Sequence, residues 1–481
     1  MTITYSDPLR EEYNARRIAT RKALAEKMKH WRGWGGYYHK RLAKVYSHMI
    51  PKEASVLELG CGNGNLLACL EPGKGVGIEI SPEMAAFAQS LHPGIKVVCS
   101  AEDQYHLEDQ FDFIIFSDIL NEAWDVQAIF EHLHKYATPG ARLIINSYNR
   151  LWEIPLLIAE KLNVASPGKG KNWLTVSDIH DLLELTGFEV IKTSQEVLLP
   201  FGIPLLAPFF NQFLVHFWPF NLFAMTNFVV ARKNSCINEK REPPLVSVVV
   251  PARNEQGNIE NILKRTPEMG AGTEIVFVEG HSTDNTYAVI EESIHLHPER
   301  RCQIMRQEGK GKGDAVRLGF SKAKGDVLMI LDADLTVPPE DLPRFYNALV
   351  LGKADFVNGV RLVYPMEDQA MRFFNLIGNK FFSLAFSWLL GQSIKDTLCG
   401  TKVLWKKDYE RIAANRSFFG DFDPFGDFDL LFGASILNFK IIDLPIRYRA
   451  RTYGSTNIQR WKHGWLLLRM VAFAARKIKF I

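Results

Sequence analysis

The chain is poor in the residues that would announce a metal scaffold or a disulfide framework. Its 481 residues hold six cysteines, Cys61, Cys69, Cys99, Cys236, Cys302 and Cys399, and none forms a CxxC pair or joins a His-rich spacing. That argues against a structural zinc module and for reduced thiols in a cytosolic setting. Excess charge is missing too. With 57 basic and 54 acidic residues the net charge is +3, which gives no case for nucleic acid as a partner. The N-terminal MTITYSDPLREEYNARR lacks the apolar core of a secretory leader, so none is expected. Also missing is a clean apolar run of about 20 residues. Between Val197 and Val230, LLPFGIPLLAPFF and FLVHFWPFNLF carry almost no charge but are interrupted by Pro200, Pro204, Pro208 and Pro219. Three readings of this insert stay open: a membrane span, a buried core insert, or an element resting on a bilayer surface or a lipid substrate.

What is present is too long for one ordinary core, since single cores stop growing near about 250 to 300 residues. Residues 9 to 48, rich in Arg, Lys, Ala, Tyr and Leu, read as helices ahead of the first sheet. From Ser55 the pattern alternates between strand and helix: SVLELG, a helix over 66–70, GVGIEI, a helix over 82–91, IKVVCS, FDFIIFS, ARLIINSY. FEVIKTS and NFVVARK are expected to close that sheet after the apolar insert. The stretch RKNSCINEKREPPL is polar, charged and proline-bearing, and marks a boundary. LVSVVVP, EIVFVEG, CQIMRQ and VLMILDAD then begin a second α/β unit, with helices over 259–264, 286–294 and 314–323 between them. The expected domains are 1–235, a linker over 236–244, and 245–481.

In VLELGCGNGN, Gly60, Gly62 and Gly64 allow a tight turn that opens a helix. A dinucleotide fingerprint wants its third glycine one residue later, where Asn65 stands. Glu79 ends the next strand, placed to accept from two ribose hydroxyls. Together these residues resemble the class I S-adenosylmethionine-dependent methyltransferases, over roughly residues 50 to 235. The resemblance implies S-adenosyl-L-methionine as cofactor, with Glu58, Gly60, Gly62 and Gly64 at the methionine end, Glu79 at the ribose, Glu102 at the adenine and Asp118 beside the sulfonium. The N-terminal helices are expected to cap this cleft. Asn121, Tyr148, Asn149 and Trp152 follow strand ends and are candidates to face the methyl acceptor.

LVSVVVPARNE, IVFVEGHSTDNT and VLMILDADLTVPPED resemble family 2 glycosyltransferases of the GT-A fold, and most nearly the dolichyl-phosphate mannose synthase-like branch, over residues 245 to 481. The resemblance implies Pro251, Glu255, Glu279, Lys312 and Asp332 as sugar-nucleotide contacts, and Asp332 with Asp334 as ligands of Mg2+ or Mn2+. Two departures stand out. Glu279 and Gly280 replace a pair of aspartates, and Thr336 replaces a glutamine two residues after Asp334. A sugar hydroxyl needs a general base, whereas a phosphate is already ionised near pH 7. Asp396, Asp427 and Asp429 are the candidate bases. Arg447, Arg449 and Arg451 alternate along a strand, and the resemblance gives that segment to an acceptor phosphate. Residues 371–390 and 464–480 are apolar helices with basic residues, suited to an anionic membrane surface or to a core.

The expected fold is thus α/β, two doubly wound Rossmann-like domains, a methyltransferase fold followed by a GT-A fold. The expected function is bifunctional: methyl transfer from S-adenosylmethionine, and inverting, metal-dependent glycosyl transfer from a sugar-nucleotide donor to a polyprenyl phosphate or a glycan. A glycosyltransferase with a non-catalytic, S-adenosylmethionine-binding regulatory or scaffolding domain is the alternative. The expected location is the cytoplasm, with peripheral attachment to the inner face of the membrane left open.

Overall fold

The computed structural model describes residues 8–28, 36–161, 172–234, 242–361, 373–416, 427–446, 449, 453 and 460–481. They form two compact units, Met1–Asn234 with Lys479–Ile481, and Ser235–Ile478.

Val56, Leu57 and Leu59 are all buried, as happens in a strand covered on both faces. That strand, β1 (Ser55–Leu59), pairs in parallel with β2 (Lys74–Glu79) and β4 (Phe111–Ser117). With β3 (Lys96–Cys99), β5 (Ala137–Tyr148), β6 (Phe188–Glu196) and β7 (Thr226–Lys233) they make a seven-stranded sheet in the order β3-β2-β1-β4-β5-β7-β6. β7 runs antiparallel to both its neighbours. Side-chain alternation sorts the core into two layers. Leu57, Leu59, Ile114 and Phe116 pack with α5 (Val126–Leu133) and α7 (Val176–Leu185). Val56, Phe113 and Ile115 pack with α2 (Gly36–Met49) and α3 (Asn65–Cys69). Around these lie α1 (Pro8–Met28), α4 (Pro82–Leu91), α6 (Glu153–Lys161) and the short α8 (Leu206–Pro208).

The second unit repeats the plan. β8 (Val246–Ala252), β9 (Thr273–Glu279), β10 (Arg301–Arg306) and β11 (Val327–Ile330) are joined by β12 (Phe356–Val360), β13 (Lys402–Trp405) and β14 (Ile441–Pro445), in the order β10-β9-β8-β11-β13-β12-β14. β13 is the antiparallel member. Val246, Val248 and Val250 face α9 (Ile259–Arg265), α10 (Thr286–Leu296) and α12 (Leu342–Val350). The opposite face meets α11 (Lys312–Lys322), which approaches closely because Gly319 has no side chain to strike Val249. The remaining helices are α13 (Phe373–Leu390), α14 (Lys406–Ala414), α15 (Asp427–Ile436) and α16 (Arg460–Ile478). In both sheets the order reverses beside the first strand, between β1 and β4 and between β8 and β11. The carboxyl ends of strands at such a switch point frame a crevice where α/β proteins bind ligands.

The insert between β6 and β7 is partly packed and partly exposed, with Ala207, Asn211 and Val215 buried. Among the described residues no helix is long and apolar enough to cross a membrane. Many of the insert's other apolar side chains face outward, with Leu205 87% and Trp218 79% exposed.

Gly319→Val is expected to force α11 off Val249 and Val278 and to destabilise the second unit by about 1–3 kcal/mol, the usual cost of overpacking. Hydrogen exchange should show β8 and β9 amides losing protection while β1 and β4 keep theirs. Equal loss in both units would contradict this packing.

Candidate functional site

The first crevice is built where β1 runs out. Gly60, Gly62 and Gly64 all take left-handed φ angles, 69°, 55° and 72°. A Cβ at Gly60 would lie 2.5 Å from Ile119, so only glycine fits there. Glu58 is buried just before the turn, and its Oε2 has no hydrogen-bond partner. Burial pushes its pKa from 4.5 up to about 8, with a bond from the Leu67 amide opposing and the charge of Glu79 adding to the rise. Glu79, also buried, accepts from the Gly62 and Ser81 amides, each at 3.0 Å. A carboxylate has about four lone-pair positions, so these two bonds leave acceptor capacity over. The orphan Glu58 oxygen and the spare capacity of Glu79 fit an amino-acid end and a ribose respectively.

Glu102 is buried and both its oxygens are taken by Arg17 of α1, at 2.6 and 3.1 Å. Asp118, at φ 58°, accepts from Tyr38 O–H at 3.0 Å and from the Asn146 side chain. Burial, and then the Asp118 carboxylate, raise the Tyr38 pKa well above 10. The four candidates for the acceptor side are tied into the fold. Asn121 binds Asn172 carbonyl at 2.7 Å and receives the Tyr148 amide at 3.1 Å. Tyr148 stacks on Tyr38 with ring centres 6.3 Å apart. Asn149 donates to the carbonyls of Leu222 and Ala224, and Trp152 to that of Phe223, so both fasten the apolar insert.

Sequence reasoning missed Arg17, Arg21 and Tyr38. The signal was present: Arg10, Tyr13, Arg17 and Arg21 recur every three, four and four residues, one face of a helix.

In the second unit, Pro251 lies in β8 and is half-buried. Glu255 is buried; its amide donates to Thr286 Oγ1 at 3.0 Å and its Oε2 accepts from Asn258 at 2.8 Å. Glu279, at the end of β9, accepts from the Ser282 amide, with Arg306 at 3.7 Å. Asp332 follows β11 and pairs with Lys312 Nζ at 2.5 Å. Burial works to raise the Asp332 pKa, but Lys312 with Arg361 and Lys402 more than offset it, and the net shift is downward. Gly400 lies against this pair, so a Cβ there would run into both Asp332 Oδ2 and Lys312 Nζ. Asp334 accepts from Thr336 through its amide at 3.1 Å and its hydroxyl at 2.7 Å. No group of three or more His, Cys, Asp or Glu among the described residues could hold a metal. Asp332 and Asp334 therefore bring two hard oxygens, a set that fits a divalent cation only together with ligand phosphates and water.

Asp396 is fully buried and gripped by Arg361 at 2.7 and 2.9 Å. Burial works against its charge, yet Arg361 leaves the pKa lowered. Asp429 pairs with Arg416 at 2.8 Å, with Arg317 at 3.8 Å. The backbone of Asp427 begins α15, while its side chain lies outside the described residues. Arg447 and Arg451 also lie outside them. Arg449 is exposed, and its amide donates to Thr336 carbonyl at 2.9 Å, beside the turn that carries Asp334. Arg361 and Lys402 were not foreseen. Lys402 is buried in β13 and donates to Asn358 and to Cys399 carbonyl.

Residues 28–193 match the model of a methyltransferase domain, and residues 247–412 match glycosyl transferase family 2. An undecaprenyl-phosphate 4-deoxy-4-formamido-L-arabinose transferase of Edwardsiella ictaluri is 32% identical over 32% of this chain and 47% of its own length. A dolichol-phosphate mannosyltransferase of Pyrococcus furiosus is 28% identical over 49% of this chain and 67% of its own. The chain thus spans about half the length of the first relative. The crystal structure of a SAM-dependent methyltransferase from Thermotoga maritima is similar at 16% identity and a TM-score of 0.36, covering 45% of this chain and 99% of that one.

The raised Glu58 pKa makes a stability prediction. The folded state keeps a proton that the unfolded chain releases above about 4.5, so this contribution is present at low pH and lost as pH rises through about 8. Glu58→Gln should therefore gain thermal stability relative to the wild type as pH goes from 5 to 8, followed by circular dichroism. A wild-type minus variant difference that is flat across that range would contradict a protonated Glu58.

Proposed function

The chain joins a methyltransferase domain to a family 2 glycosyltransferase domain, and we propose that both work: S-adenosylmethionine-dependent methyl transfer in the first unit, and inverting sugar transfer from a sugar nucleotide to a polyprenyl phosphate in the second. In the first crevice, Glu58, Gly60, Gly62 and Gly64 receive the methionine end and Glu79 the ribose. A sulfonium is already an excellent leaving group, so positioning supplies most of the rate. Asp118, held by Tyr38 and Asn146, borders the reacting carbon, and Glu102 holds Arg17 over the adenine side.

In the second crevice Pro251, Glu255 and Glu279 meet the nucleoside, and Lys312 meets the diphosphate. Asp332 and Asp334 would hold Mg2+ or Mn2+, which neutralises charge on the departing phosphate when bound. The observation that favours a phosphate acceptor is the state of the candidate bases. Asp396 is buried against Arg361 with its pKa lowered, and Asp429 is engaged by Arg416. A carboxylate held as Asp396 is makes a poor proton acceptor. A phosphate needs no base, and Arg447, Arg449 and Arg451 would bind it. The relatives named for undecaprenyl and dolichol phosphates support the same class.

A lipid acceptor requires access to a bilayer, and we place the protein in the cytoplasm with peripheral contact to the membrane. Apolar side chains on both units support this. α13 and α16 expose Phe381, Leu384, Trp465 and Leu468, and the insert exposes Leu205, Phe209, Trp218 and Phe223. Aromatic and aliphatic side chains of this kind settle at the headgroup boundary.

Asp334→Ala should abolish metal-dependent transfer from the sugar nucleotide while S-adenosylmethionine binding, read by calorimetry, stays at the wild-type value. Loss of both would sink the assignment of separate sites. Release of S-adenosylhomocysteine with candidate acceptors tests turnover in the first unit.

The full chain should float with anionic liposomes at low salt and, more weakly, at high salt, because screening removes charge attraction but not apolar insertion. Failure to float in either condition would remove the membrane from the scheme.

A further inference from the structure

All of α1 but its last residue lies N-terminal to the residues matched by the methyltransferase model. The helix nevertheless reaches the loops of the first crevice through one charged face. Arg10 grips Asp103 with two bonds of 2.7 Å, Arg17 grips Glu102, Arg21 Nη2 donates to Glu122 at 2.8 Å, and Lys22 pairs with Glu83 at 2.7 Å. Tyr13 adds a bond to Glu122 carbonyl and packs on Trp124.

Arg21 differs from the other cations in what its second arm does. Its Nη1 stands beside the glycine turn, 3.6 Å from where a Cβ of Gly62 would lie, with no hydrogen-bond partner among the described residues. At the root of the same turn the buried Oε2 of Glu58 also lacks a partner. One unmatched donor of a guanidinium and one unmatched acceptor of a carboxyl thus border a single turn. A ligand carrying an ammonium and a carboxylate on one carbon answers both. A dianion such as phosphate does not, because the Glu79 and Glu122 carboxylates would repel its second charge and it has no proton donor to offer Glu58. Guanidinium is also the side-chain group best shaped for a carboxylate.

We infer that Arg21 binds the α-carboxylate of the cofactor's amino-acid end, with Glu122 holding the guanidinium in place and Glu58 accepting from the ammonium. This rests on reading the first crevice as the S-adenosylmethionine site. Burial disfavours the charged Arg21, but Glu122, Glu79 and Glu102 more than offset it and raise its pKa, so the arginine is a fixed cation.

The test compares two ligands by calorimetry on the full chain: S-adenosylhomocysteine, and 5′-methylthioadenosine, which keeps the nucleoside and thioether but lacks the amino-acid end. Arg21→Met should weaken S-adenosylhomocysteine by about 10-fold to 100-fold, the value of a charge-assisted bond, and leave methylthioadenosine unchanged. Arg21→Lys, which keeps the charge but loses the fork, should fall between. If Arg21→Met weakens both ligands equally, Arg21 only seats the helix and the inference is wrong. Unchanged S-adenosylhomocysteine affinity in a folded variant overturns it as well. A wild type that binds neither ligand would instead overturn the cofactor reading on which it rests.

Discussion

A carboxylate taken out of water costs several kcal/mol unless a cation or an amide meets it, and both crevices are organised around that constraint. In the first, Arg17 meets Glu102, Arg21 meets Glu122, and backbone amides meet Glu79. In the second, Lys312 meets Asp332, Arg361 meets Asp396, and Arg416 meets Asp429. In the two most buried of these pairs, Arg17–Glu102 and Arg361–Asp396, removing one member costs about 3–5 kcal/mol, because the other is stranded. An incoming ligand that claims one partner must therefore offer the other a substitute. A divalent cation at Asp332 would free Lys312 for a phosphate, so both would exchange partners without either being left bare.

How much was legible follows from what each segment buries. β1, β2, β4, β9 and β11 are apolar runs closed by Gly or an acid, β5 and β8 carry equally apolar cores, and the sequence expectations coincide with them within a few residues. The pairing of β6 with β7 across a long insert was readable for the same reason. β12, β13 and β14 were not, because polar residues sit where an apolar pattern would be sought. Asn358, Lys402 and Asp443 are linked inside the sheet, Lys402 donating to Asn358 and Asn358 to Asp443, so each satisfies another and none signals a strand by itself. The same limit applied to the sites. Glycines and strand-end acids announce themselves by spacing, whereas Arg17, Arg21 and Arg361 come from distant segments and matter only through the acid each one meets. Thr336, a departure from the glycosyltransferase pattern, turns out to donate to Asp334.

The apolar insert leaves the first sheet and returns to it through a narrow neck. Val197, just after β6, offers its carbonyl to the Met225 amide, just before β7, at 2.7 Å. The two ends are thus already in the position that a tight hairpin turn would occupy. What lies between them is a loop on an already closed ladder, fastened to the unit by Arg41, Asn149 and Trp152, and loop length is a weak thermodynamic burden, growing only with its logarithm. The exposed part of a segment attached in this way can change composition while the strands keep their register. In this chain the exposed surface of the insert can therefore change while the strands that frame the first crevice stay as they are.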